Sequence, residues 1–141
     1  MPVIIDIEKS PRRDLPHGRG VTAVLFNPSN GAMNVDVHIN TLNPGVREGA
    51  IHYHRKMENI YVILEGEGVI IDESGREYPV KAGQAVLLKP GEGVDTHEIY
   101  NYGSEPLRFV EIYAPAHPKE AYVGSSIDPE KRDHVVVKNT H

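Results

Sequence analysis

The chain contains no cysteine, no basic cluster beyond Arg12-Arg13, and no apolar run near the length of a membrane span. Without thiols there can be no disulfide, no thiolate nucleophile and no cysteine-bound zinc. The missing Cys agrees with a reducing compartment without requiring one. A formal net charge of −5 with no basic stripe excludes the electrostatic footprint of a nucleic-acid binder. A spanning helix needs about 20 apolar residues, which no segment supplies. The first ten residues, MPVIIDIEKS, set Asp6 and Glu8 within a short apolar stretch, unlike a signal peptide. Internal repeats and low-complexity segments are lacking, and no helical period appears before residue 116. The expectation is a soluble, cytoplasmic protein with neither a membrane nor a nucleic-acid partner.

What the chain does have is turn chemistry. Thirteen glycines and eleven prolines in 141 residues exceed the roughly 12 % combined share of an average protein. They punctuate short apolar runs, which points to an all-β architecture. The length fits one domain, able to bury about two-thirds of its unfolded surface. Strand-like runs fall at 21–26, 34–42, 51–54, 59–64, 69–72, 77–80, 85–88, 96–100 and 107–113, at the spacing of a sandwich or closed barrel. Residues 73–76 join two of them as a hairpin, and 51–54 with 59–64 reads as another pair. Within 34–42, Val35, Val37 and Ile39 share one side while Asp36, His38 and Asn40 share the other. In the tail, Asp128-Pro129-Glu130-Lys131 reads as an N-cap, a proline at the first helical position and a short helical turn. An apolar strand follows at 135–137, and residues 3–7 form a second unpaired apolar strand at the other end.

The stretch 51–68, IHYHRKMENIYVILEGEG, carries the chemistry. Side chains alternate along a strand, so His52 and His54 project the same way, with Cα atoms about 7 Å apart. Two imidazoles leaning together from that spacing can each reach one metal ion at about 2.1 Å. Glu58 follows at the head of the next apolar run, and a third histidine, His97, recurs downstream. The pattern reads as half of a metal site on a β-hairpin, completed from a second hairpin.

In these residues the chain resembles the cupin superfamily, small barrels of the double-stranded β-helix type. Gly45, His52, His54, Glu58 and Gly66 echo its first motif, with Gly45 one residue too distant. Gly83, Pro90, Gly91, His97 and Asn101 echo the second, with residues 92–96 as extra length before the histidine. The resemblance implies an all-β cupin-like jelly-roll barrel, with N-terminal strands and arm at 1–33, the barrel core at 34–115 and a tail at 116–141. It implies His52, His54 and His97 as ligands of one divalent transition metal (Fe, Mn, Ni, Cu or Zn). The fourth ligand stays open. Counting forward from His54 gives Glu58, and counting back from Gly66 gives Asn59. Three neutral imidazoles with Glu58 leave a divalent site at net +1, whereas Asn59 leaves it near +2 with a weaker donor.

Other residues read more simply. Tyr61 could aim a phenol at a substrate and Arg47 could bind an anionic one at the entrance, against barrel packing and a solvated loop charge respectively. His38 reads either as a residue lining the barrel mouth or as a partly exposed structural histidine, His17 and His117 as solvated loop residues, and His134 and His141 carry no readable signal. Asp95 and Asn101 stand where they could orient the imidazoles. The resemblance allows a small-molecule enzyme of dioxygenase, isomerase/epimerase or decarboxylase type. It equally allows a non-catalytic binding cupin or a metal-free structural dimer, because fold does not choose chemistry. A homodimer with exchanged terminal strands is also implied.

Overall fold

A computed structural model describes residues 1–140. Its regular structure is thirteen strands and five single 3-10 turns, and no helix among the described residues is long and apolar enough to cross a membrane. The strands are β1 (Arg12–Leu15), β2 (Gly20–Phe26), β3 (Asp36–Leu42), β4 (Ala50–Tyr53), β5 (Glu58–Glu65), β6 (Glu67–Asp72) and β7 (Glu77–Lys81). They continue as β8 (Ala85–Leu88), β9 (His97–Tyr100), β10 (Leu107–Ala114), β11 (Tyr122–Val123), β12 (Ser126–Ile127) and β13 (Val135–Asn139). One sheet runs β1-β2-β3-β10-β5-β8 and the other β13-β4-β9-β6-β7, while β11 and β12 form a small hairpin. Every pairing is antiparallel.

The core is drawn from both sheets: Leu42, Tyr61, Ile63, Leu88, Leu107 and Phe109 from one, Ile70, Val80 and Ile99 from the other. Between β3 and β10 every successive strand except the β6–β7 pair changes sheet, and this corrects one expectation. Segments 51–54 and 59–64 are not a hairpin, since β4 and β5 lie in opposite sheets. Gly66, at φ +84°, makes the next crossing between β5 and β6, and a Cβ there would stand 2.5 Å from the Pro106 carbonyl oxygen. The expected hairpin at 73–76 does form, joining β6 to β7. Because β4 lies beside β9, His52 and His97 are register partners across one ladder. Sheet topology, not a hairpin, brings the two histidine segments together.

The ends depart further from expectation. Residues 12–15 and the β11–β12 hairpin lie outside the nine runs read from the sequence, because they are short and polar. Residues 3–6 form no strand and 7–9 make a 3-10 turn, so the apolar strand expected at 3–7 does not form. Val135–Asn139 is not unpaired: it adds to the outer edge of β4 within the same chain. The expected helical turn at 128–131 is no α-helix but a three-residue 3-10 turn, capped by Asp128 Oδ1 accepting from the Glu130 N–H at 3.1 Å. In β3 the polar side faces the interior: Asp36 and Asn40 are buried, and with His38 they line a cavity between the sheets.

Candidate metal centre

The ligand nitrogens of His52, His54 and His97 all lie within 4.8 Å of one another, and all three side chains are buried. Two donors each about 2.1 Å from an ion stand at most about 4.2 Å apart, so small ring rotations close the set. The backbone has already fixed the rings. His52 Nδ1 meets Ala50 O at 2.9 Å, His54 Nδ1 meets Asp133 O at 2.8 Å, and His97 Nδ1 meets Asp95 O at 2.7 Å. A carbonyl only accepts, so each Nδ1 carries the hydrogen and donates it. Each Nε2 is then left with its lone pair, and those of His54 and His97 are buried without a hydrogen-bond partner among the described residues. This is the tautomer and orientation that metal-bound histidines take from their surroundings.

Charge state agrees with geometry. Burial lowers the His52 pKa to about 4 and that of His97 to about 3, with His54 shifted in the same direction. All three rings are neutral near pH 7 and able to donate. The residues fit a divalent ion.

Glu58 does not join them. It opens β5 on the exposed side, and the alternation of that strand turns Asn59, Tyr61 and Ile63 inward instead. Asn59 is fully buried, but its amide donates to Glu111 Oε2 at 3.2 Å and to Ile112 O at 3.3 Å. The carboxylate nearest the triad comes from elsewhere: Glu48 Oε1 stands 3.5 Å from His52 Nε2. Its side chain keeps 27 % exposure while opening onto the interior cavity rather than the outer surface. Burial, with Glu111 adding to it, raises its pKa to about 8. Glu48 lies four residues before His52 in the loop ahead of β4, where strand alternation carries no information. That Glu-x-x-x-His-x-His spacing was the one available signal.

The two residues expected to meet a substrate, Arg47 and Tyr61, make contacts within the protein. Arg47 is bonded to the buried Glu98 through Nε and one terminal nitrogen, and it lies over the Tyr100 ring. Tyr61 is packed against Phe109 in the core, and its hydroxyl donates to Glu48 Oε2 at 3.4 Å. Asp95 holds His97, but through its carbonyl; Asn101 instead ties loops together by donating to the carbonyls of Leu42, Asn43 and Glu105. The tail contributes more than expected. His134 stacks on His52 at 4.1 Å, and His117 Nε2 accepts from the Asp133 N–H at 2.8 Å. His141 lies outside the described residues.

A cavity of about 310 Å³ opens beside the centre, small for a ligand site. His54, Glu48 and His134 line one side. Across it, Glu111 on β10 accepts from Asn40 at 2.8 Å and from Asn59. His38 Nε2 sits 3.8 Å from Glu111 and 3.9 Å from Asp36, and neither of its ring nitrogens has a hydrogen-bond partner among the described residues. Of its two readings, His38 takes the one that lines the cavity.

A two-sheet β-barrel with three convergent buried imidazoles defines a class of small barrels equipped to hold one metal ion. Residues 38–113 match the family described as Cupin domain. The chain belongs to the cupin family, as a small single-domain member. It is similar to a predicted oxalate decarboxylase from Thermotoga maritima, at 28 % identity over 80 % of this chain and 99 % of that one, TM-score 0.65. An uncharacterized conserved protein with a double-stranded β-helix domain from Klebsiella pneumoniae shares the fold at 24 % identity, covering 82 % of this chain and 92 % of that one, TM-score 0.65. So does a sugar phosphate isomerase of the cupin superfamily from Silicibacter pomeroyi, at 21 % identity over 79 % and 75 %, TM-score 0.69. No curated protein matches the sequence.

Proposed function

We propose that this cupin is a divalent-metal-dependent enzyme that moves protons on a small oxygen-bearing substrate, in reactions of the isomerase or epimerase type. His52, His54 and His97 are the proposed ligands, with Glu48 rather than Glu58 as the carboxylate. Bound there, a divalent ion would supply Lewis acidity toward the oxygens of a substrate. The observation that carries the reading is the second wall of the cavity. Glu111 and His38 face the space beside the histidines, so groups able to take and return a proton flank any molecule that fills it.

The chain's own residues divide the work. Backbone carbonyls of Ala50, Asp95 and Asp133 hold the rings, and Tyr61 holds Glu48. Asn40 and Asn59 fix the Glu111 carboxylate by donating to different oxygens. His38, between Asp36 and Glu111, stands where a proton can pass between wall and substrate.

The test is metal analysis of protein purified without chelators, followed by incubation with hydroxy-ketones, sugar phosphates and catechols in heavy water under air. About one ion per chain and deuterium entering the carbon beside a carbonyl are expected. Oxygen uptake without deuterium incorporation would sink the proton-transfer reading. We also propose a homodimer, because Val136 and Val137 remain exposed on the β13 edge; a monomeric mass by light scattering would exclude it.

A further inference from the structure

The cavity is lined by three arginines, Arg13 on β1, Arg19 after the first proline turn, and Arg132 just ahead of β13. It is also lined by four carboxylates, Asp36, Glu48, Glu111 and Asp133. Opposite charges in so small a space ordinarily pair. Here no ion pair joins any of these arginines to any of these acids among the described residues; the ion pairs present involve Arg47, Arg108 and histidines. The acids make their hydrogen bonds elsewhere, and only Asp36 Oδ1 among their oxygens is buried without a hydrogen-bond partner among the described residues. Asp133 accepts two backbone N–H groups, Glu111 accepts two amides, Tyr122 donates to Asp36, and Tyr61 and the Ile99 N–H donate to Glu48.

The arginines are not spent on acids. Arg132 makes no hydrogen bond or ion pair among the described residues, Arg13 bonds only the Ser126 hydroxyl, and Arg19 donates to Pro16 O at 2.6 Å. Burial disfavours the charge on Arg13, and the facing Arg132 guanidinium adds repulsion. Arg19 reaches over Gly49 with a terminal nitrogen, where a Cβ would collide with the guanidinium. Guanidiniums left without a carboxylate keep their paired N–H donors for a planar or tetrahedral oxyanion.

We infer that Arg13, Arg19 and Arg132 form an oxyanion receptor, so that the substrate is a small carboxylate or phosphate whose remaining oxygens face the histidine cluster. All three arginines lie outside residues 38–113, the segment that matches the family. The receptor is thus built by the N-terminal arm and the tail, and it makes charge selection a property of this chain rather than of the barrel. This inference rests on the cavity being the substrate site, not on the identity of the metal.

The test is calorimetric titration of the full chain, chelator-treated and metal-loaded in parallel, with lactate, lactamide and inorganic phosphate, metal content being measured on the same samples. Lactate should bind at least tenfold tighter than lactamide in both states. Arg132→Gln, an exposed change, should weaken lactate and phosphate at least tenfold, with Arg132→Lys recovering part of the loss. Anion binding in protein that takes up no metal even after loading would support the receptor while removing the metal from the proposed function. Equal affinity for lactate and lactamide would overturn the inference. So would anion binding seen only with metal and unmoved by Arg132→Gln and Arg13→Gln. The ratio of phosphate to lactate affinity assigns the anionic group.

Discussion

A buried histidine that must stay neutral costs stability when the solution turns acid. In the metal-free protein the native pKa values of His52 and His97, about 4 and about 3, lie below the ordinary 6.5. The unfolded chain therefore takes up protons first, and stability present above pH 6.5 is lost as pH falls toward those values. For His52 the full loss is on the order of 3 kcal/mol. Glu48 works in the opposite direction: with its native pKa raised from 4.5 to about 8, its contribution is complete below 4.5 and is lost as pH rises through 8. Between pH 7 and 5 the two effects partly cancel. Glu48→Gln should thus make the metal-free protein lose about 2 kcal/mol more over that interval than the parent, by urea denaturation at each pH. An unchanged slope would show that the carboxyl is not held protonated. Metal content tests the ligand set more simply. Glu58→Ala should leave bound metal unchanged, and His97→Ala should remove it, by mass spectrometry of dialysed protein.

At the scale of elements, the segment ahead of β13 acts as a clasp on the centre. Asp133 accepts from Lys56 and Met57 N–H groups at 2.8 and 3.0 Å through its carboxylate, and from His54 through its carbonyl. Asp133→Ala should leave those two N–H groups unanswered and cost about 1–3 kcal/mol. It should also weaken metal binding by about tenfold, the scale seen for groups that orient ligands. Asp133→Asn, which keeps an acceptor oxygen, should recover most of both losses. The same clasp marks where sequence reading stopped. Nine of the strands were legible because their apolar periods and turn residues are local. His52, His54 and His97 were legible because ligands on a strand keep a fixed spacing. Glu48 was not, since it comes from a loop where no period applies. His134 and the arginines enter by pairing β13 onto β4 and β1 onto β2, which are long-range events with no local signature. The parity of β5 could not choose between Glu58 and Asn59. Its residues 60–64 are apolar on both faces, so only the three-dimensional placement of Asn59 shows which neighbour turns in.

For the whole molecule, the barrel and its centre are coupled through strands from every part of the chain. The triad joins β4 to β9, Glu48 touches β5 through Tyr61 and β9 through the Ile99 N–H, and Asp133 ties the tail to His54. An ion held there is bound by the folded chain alone, because unfolding separates residues 48, 52, 54 and 97. Binding free energy then appears as folding free energy. At a free metal concentration 100 times the dissociation constant, the gain is about 2.7 kcal/mol. A domain of this size gains a few degrees per kcal/mol, so the melting temperature should rise by about 10 °C. Scanning calorimetry of chelated and metal-loaded protein measures this directly. His97→Ala should melt at one temperature in both conditions, because two imidazoles and a carboxylate from one segment leave β9 uncoupled from the rest. A metal-dependent rise that persists in His97→Ala would mean that ions bind elsewhere, and the coupling of the two histidine strands through one ion would be wrong.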